Sequence, residues 1–171
     1  MKAQISFVEY LVALSIFITF VGYIFFSLLN FMPTYLGEME DEIIKSEAYQ
    51  ISEMLINDPG EPVSWNTLIG TGSENQIKRI GFSDSTAGKT NFLSATKITS
   101  LVSKCPVDGY GDDIKNWIDT KYQFSLIVDD KTGGVLLDCH PPQTVSGKVK
   151  ASIRRVVAIG SGYGELVLQV W

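Results

Sequence analysis

The chain has 171 residues, with 14 Lys and Arg against 19 Asp and Glu, and a net charge of −5. That balance argues against a nucleic-acid partner, which calls for a basic patch to neutralise phosphates. One histidine and two cysteines are too few nitrogen and sulfur ligands for a closed zinc site without help from carboxylates.

The first element dominates. From Tyr10 to Gly37 no residue is charged, and Glu9 stands before the run with Glu38, Glu40, Asp41 and Glu42 after it. As a helix these residues would extend roughly 42 Å at about 1.5 Å per residue, where a bilayer core needs about 20 apolar residues. Leu11 to Met32 is apolar all round, the pattern of a helix buried in lipid or among other helices. A secretory signal has a shorter apolar core of about 7–15 residues and a small-residue cleavage site after it. Here the run is longer and is followed by Asn30-Phe31-Met32-Pro33-Thr34-Tyr35. Lys2 is the only side-chain charge before Glu9, which sets the N-terminus inside and the rest of the chain outside.

The opening Met1-Lys2-Ala3-Gln4-Ile5-Ser6-Phe7-Val8-Glu9 resembles the signal region of archaeal type IV pilin-like proteins. In that family a short basic leader precedes Gln-x-Ser-x-Glu and a long apolar helix, and the leader is cut before the helix. Glu9 lies five residues after Gln4, where the family pattern has four. Asn57-Asp58-Pro59-Gly60, Trp65 and Ile80-Gly81 also look like the ectodomains of such proteins. The resemblance implies cleavage between Ala3 and Gln4 by a prepilin-type signal peptidase, and helix register and assembly set by Ser6 and Glu9. It further implies helix packing through Leu11, Leu14, Phe17, Ile18, Val21, Gly22, Phe25, Leu28 and Leu29. The partners it implies are copies of this chain or other pilin-like subunits. The protein would sit in the membrane first and in an extracellular filament afterwards. A membrane-anchored surface binding module that never polymerises is the alternative, and an anchored surface hydrolase is a third.

Gly22 is open to two readings, close helix–helix approach or a glycine tolerated in a membrane span. Pro33 lacks a backbone donor and predicts a kink or break. Beyond it Leu36, Met39, Ile43, Ile44, Ala48, Ile51, Met54 and Leu55 recur at helical spacing. They predict an amphipathic helix over 34–57 that packs on an ectodomain over 34–171, with residues 4–33 as the hydrophobic helix and 1–3 as the leader. Asn57-Asp58-Pro59-Gly60 ends the helix.

Residues 61–75 read as a loop anchored by Trp65. Gln76 to Phe82 reads as a short strand and Ser83 to Lys89 as a turn. Asn91 or Ser94 would cap a short helix ending near Val102, and Asp112 and Asp113 would open another running over Ile114 to Ile118. Alternation over Tyr122–Asp129, a turn at Asp129–Gly134, and further alternation from Val135, from Lys148 and from Glu165 predict an antiparallel sheet. The fold class is thus α+β: a long apolar helix, kinked near Pro33, whose second half packs on a small antiparallel β-rich domain.

Cys105 and Cys139 are an even pair in a domain placed outside the membrane, which predicts a disulfide; two buried thiols are the alternative. His140 beside Cys139 in a strand would point to the opposite face, so no Cys–His nucleophile pair is expected. Asp112-Asp113 and Asp129-Asp130 lack calcium-loop spacing and read as cap and turn. The chain is therefore expected to be non-enzymatic, with no cofactor and no metal site.

Overall fold

A computed structural model describes the backbone of residues 2–84, 91–106, 109–141 and 148–171, with side chains from Phe7 onward. The expected turn at Ser83–Lys89 lies mostly outside the described residues. The elements in order are α1 (Lys2–Asn57), β1 (Phe92–Leu93), α2 (Ala95–Val102), α3 (Asp112–Ile118), β2 (Phe124–Asp130), β3 (Val135–Cys139), β4 (Ala151–Ile159) and β5 (Gly162–Val170). The chain divides into two units, the first ending at Glu42 and the second running from Ile43 to Trp171.

The first unit is helix alone. Pro33 does not interrupt α1. A proline removes one donor, here the one that would reach the Leu29 carbonyl, and the helical bonds before and after it remain. The expected break is therefore absent.

In the second unit, α1 buries Ile44, Ala48, Ile51 and Leu55, spaced four, three and four residues apart so that they share one face. They join a single hydrophobic cluster with the inner faces of the strands. Leu36, Met39 and Ile43, expected in the same stripe, are exposed instead. The packed face starts at Ile44, and the apolar positions just before it follow a different line along the helix.

The sheet order is β1-β4-β5-β2-β3. β4 pairs antiparallel with β5 from Ala151 opposite Val170 to Ile159 opposite Gly162. β5 pairs antiparallel with β2 from Val170 opposite Phe124 to Gly164 opposite Asp130. β2 pairs antiparallel with β3, with a register irregularity between Val128 and Asp129. β1, however, runs parallel to β4, Phe92 opposite Ala158. The sheet is mixed, not purely antiparallel as expected. Phe124, Leu126 and Val128 of β2 and Leu166, Leu168 and Val170 of β5 point into the core at every second residue.

The segment after α1 is held by backbone rather than by a strand. Gln76 to Phe82, expected as a strand, is a 3-10 turn at Glu74–Gln76 followed by irregular chain with one bridge from Arg79 to Glu61. The Phe82 amide donates to the Leu55 carbonyl at 2.8 Å, and the Ser83 amide to the Asp58 carbonyl at 3.2 Å. Gly81 lies so close to this helix end that a Cβ would come within 2.1 Å of the Asp58 carbonyl oxygen. Trp65 closes the same corner. It is fully buried, and its Nε1 donates to the Gly81 carbonyl at 3.0 Å. The anchoring role expected of Trp65 is thus observed.

Cys105 and Cys139 form the expected disulfide, with Cα atoms 4.8 Å apart and a separation of 34 in sequence. It joins the chain just after α2 to the last residue of β3. α3 begins two residues earlier than expected and carries Asp112 and Asp113 in its first turn. Asp130 is a turn residue: its Oδ1 accepts from the Thr132 amide, the Thr132 hydroxyl and the Gly134 amide at 2.6–2.9 Å.

Candidate functional site: the exposed apolar helix

The feature that folding of the second unit does not consume is the stretch of α1 from Phe7 to Met32. Leu11, Leu14, Phe17, Ile18, Val21, Phe25, Leu28 and Leu29 are all exposed, as are Phe7, Phe20, Phe26 and Phe31 on other sides of the helix. Burial of such a side chain is worth about 1.5–3 kcal/mol against leaving it in water. A run of them, exposed on every face, requires an apolar surrounding. Among the described residues this is the one helix long and apolar enough to cross a membrane.

Its few polar groups are compatible with that surrounding. The Thr19 hydroxyl donates to the Ser15 carbonyl at 2.8 Å, one turn back, and so needs no outside acceptor. Gly22 has open space where a Cβ would be, so nothing within the chain demands glycine there. Glu9 is exposed on α1. Lys2, Ala3, Gln4 and Ser6 belong to α1 by backbone, while their side chains lie outside the described residues. The packing residues named from sequence share one helix; the processing residues precede them on the same helix.

A second feature was not legible in the sequence. A cleft of about 790 Å³ lies within the second unit, lined on one side by Ile43, Ser46, Glu47 and Gln50 of α1 and on the other by Lys115, Asn116, Asp119, Thr120 and Lys121. Its two walls are joined where the Thr120 hydroxyl donates to Glu47 Oε1 at 2.6 Å, across 73 residues of sequence. Lys115 Nζ donates to the Lys121 carbonyl at 3.3 Å, and Lys121 Nζ lies 5.0 Å from the centre of the Tyr122 ring. No carboxylate among the described residues pairs with either ammonium. Nothing in the local sequence marks these residues, because a wall from α1 and a wall from the end of α3 become neighbours only after folding.

Cys139 is bonded and fully buried, so it is no nucleophile. His140 Nδ1 lies 3.5 Å from Asp138 Oδ1 at a half-exposed position. Among the described residues no three His, Cys, Asp or Glu side chains group as metal ligands would. Lys97 is the one buried lysine among the described residues, and its ammonium donates to the Pro59 and Ser83 carbonyls at 2.6 and 3.0 Å. Burial pushes its pKa down, opposed by the nearby Asp84 and Asp58 charges.

The chain is 28% identical over 133 residues to an uncharacterized protein of Archaeoglobus fulgidus, a match covering 72% of this chain and 67% of that one. No family model matches the chain. No solved structure matches it. A long apolar helix continuing into a small disulfide-bonded β domain is compatible with a pilin-like fold and with a membrane anchor or a secreted protein.

Proposed function

We propose that this protein is a structural, non-enzymatic subunit of an archaeal type IV pilus-like surface filament. The observation that carries the reading is the stretch of α1 from Leu11 to Met32, apolar all round with its large hydrophobic side chains exposed. The helix is first held in the membrane as a single span. A prepilin-type peptidase on the cytoplasmic side removes residues 1–3. The helix then leaves lipid for a bundle of like helices, where the same apolar surface stays buried. The move exchanges one apolar surrounding for another, so it needs no polar face. Where helices meet, side chains such as Leu14, Phe17, Val21, Phe25 and Leu28 interlock, and Gly22 lets backbones approach.

The opening Lys2-Ala3-Gln4-x-Ser6 supports the processing step. After the cut, the new amino group at Gln4 is a cation close to Glu9 in sequence. A carboxylate buried in a bundle is costly unless paired, and the amine of the same or an adjacent copy relieves that cost. The relative from Archaeoglobus fulgidus is in keeping with an archaeal setting.

The test is the mass of the protein recovered from its own cells, together with electron microscopy of the cell surface. The expected mass lacks Met1 to Ala3, and the expected images show filaments that disappear when the protein is deleted. Replacement of Ala3 by Trp should block the cut and hold the protein in the membrane fraction. Recovery of a chain that retains Lys2 would overturn the reading and leave a single-span anchored surface protein.

A further inference from the structure

We infer that β3 of one copy of this chain adds to the open edge of β4 of another, antiparallel, with Asp138 opposite Arg154. The head-to-tail series of copies that this contact builds rests on the filament reading above. The contact itself rests on the two edges of the sheet.

β4 is paired along its whole length with β5, but on its other side β1 reaches only Ala158 and Ile159. There the Ala158 amide donates to the Asn91 carbonyl, away from β5. Backbone groups in a strand change side at each residue, so Ser152, Arg154 and Val156 turn theirs to this same side. Asn91 ends the line of β1, because its φ of 58° turns the chain off a strand path. Among the described residues no backbone bond reaches Ser152, Arg154 or Val156 from that side, and Val156 is 74% exposed. A hollow of about 270 Å³ lies along this edge, between Arg154–Val156 and Glu53 and Ile56 of α1.

The opposite edge of the sheet is β3. The His140 carbonyl, just beyond it, accepts from the Tyr110 amide, outside the β2–β3 ladder. By the same period Asp138 turns its backbone groups away from β2. Leu136 and Asp138 are exposed, whereas Leu137 and Cys139 are buried. The Asp138 and Arg154 side chains thus both belong to the outer face of the sheet.

The two edges match in direction, register and charge. β4, β5, β2 and β3 alternate in direction, so β4 and β3 run opposite ways. Two copies that point the same way therefore meet edge to edge as an antiparallel pair. Such a contact is heterologous: it leaves one β3 and one β4 open at the two ends, so it repeats. Asp138 opposite Arg154 also sets Leu136 opposite Val156, an apolar pair two residues along. A slip of two residues in either direction separates both pairs. Arg154 Nη1 lies 3.5 Å from Glu165 Oε1, and the Arg154 side chain is 68% exposed. A guanidinium has five donors, which leaves room for a second carboxylate. Charged residues on a sheet edge usually deter pairing with another chain. Here β4 against β4 would bring Arg154 toward Arg154, and β3 against β3 would bring Asp138 toward Asp138. Each edge deters its own kind and accepts the other. Complementary charges of this sort fix register more than they add raw affinity.

The test uses the full chain in its own cells, with Leu136→Cys and Val156→Cys combined and a short bifunctional thiol reagent. A ladder of linked chains is expected, and neither single variant should give more than a dimer. In the double variant, Arg154→Asp should lower the ladder yield roughly tenfold, and Asp138→Arg added to it should restore the yield. Leu136→Cys with Ser152→Cys, four residues out of register, should give no ladder. The wild-type chain supplies a second reading: amide exchange over Ser152–Val156 should slow roughly tenfold between detergent-dispersed and assembled protein. The inference is overturned by no ladder while both cysteines react with a maleimide, by a yield indifferent to the charge reversal, or by unchanged exchange on assembly. A link within one chain, or to a protein of different mass, overturns it as well. A ladder in cells without filaments would keep the contact and reject the filament reading. Filaments without a ladder would keep that reading and reject the contact.

Discussion

Lys97 shows how a single polar group can hold the corner where α1 ends. Its ammonium bridges the carbonyls of Pro59 and Ser83, two segments that also meet through Gly81 and Trp65. Lys97→Met keeps the aliphatic stem and removes the donor, which leaves two carbonyls short of a partner. A loss of about 1–3 kcal/mol is expected, read from the denaturation midpoint of the detergent-solubilised protein. No change in midpoint would mean that water replaces the ammonium. Glu74 offers a pH test. Its hydrogen bond from Lys104 at 2.5 Å, then the Gly70 amide, hold its carboxyl below the usual value of 4.5. A depressed carboxylate contributes stability that is present above its unfolded pKa and is lost as pH falls through its folded pKa. Wild type should therefore exceed Glu74→Gln in stability at neutral pH, and the two should converge as pH drops below 4.5. A constant gap across that range would show that the pair does not couple to folding.

At the scale of elements, regular periodicity was readable and irregular backbone was not. Alternation from Phe124 to Asp130 and across Ala151–Ile159 located β2 and β4, because β2 buries every second residue and β4 alternates between exposed positions and buried or half-buried ones from Ala151 to Val157. The short β1 has two residues and so no period, and its parallel pairing depends on a turn at Asn91, whose φ is 58° and whose carbonyl accepts from the Ala158 amide. Gln76–Phe82 alternates as a strand does, yet its amides are claimed by Glu74, Glu61, Trp117 and Leu55 from four directions. Leu36, Met39 and Ile43 continue the helical spacing of the core stripe, but the hundred-degree step carries them to a different line from Ile44 and Ala48. The cleft with Lys115 and Lys121 lay beyond any local pattern. The disulfide, expected from a count of two, is the element-scale feature most open to test. Removing it through Cys105→Ser with Cys139→Ser releases a loop of 34 residues. That should cost roughly 3–4 kcal/mol in the chain-entropy picture. Near-equal stability of the oxidised and reduced protein would show that the unfolded chain is not the state that the bond constrains.

At the scale of the whole molecule, the core and the apolar helix answer to different surroundings. The hydrophobic cluster starts at Ile44 and includes no residue before it. The side chains from Phe7 to Met32 make no part of that cluster, so their removal takes nothing from the core. A chain that begins at Tyr35 keeps every buried position of the second unit, the disulfide, and the acidic run Glu38 to Glu42 that opposes association in water. It should be soluble without detergent and should unfold in one cooperative transition, with Trp65 fluorescence and the sheet signal changing together. Leu36, Met39 and Ile43 remain exposed in this fragment, so some self-association at high protein concentration is expected. Leu36→Ser with Met39→Ser should remove it without moving the unfolding midpoint, because neither side chain belongs to the core. A fragment that aggregates at once, or that melts without a cooperative transition, would show that the apolar helix supports the fold of the second unit and does not merely anchor it.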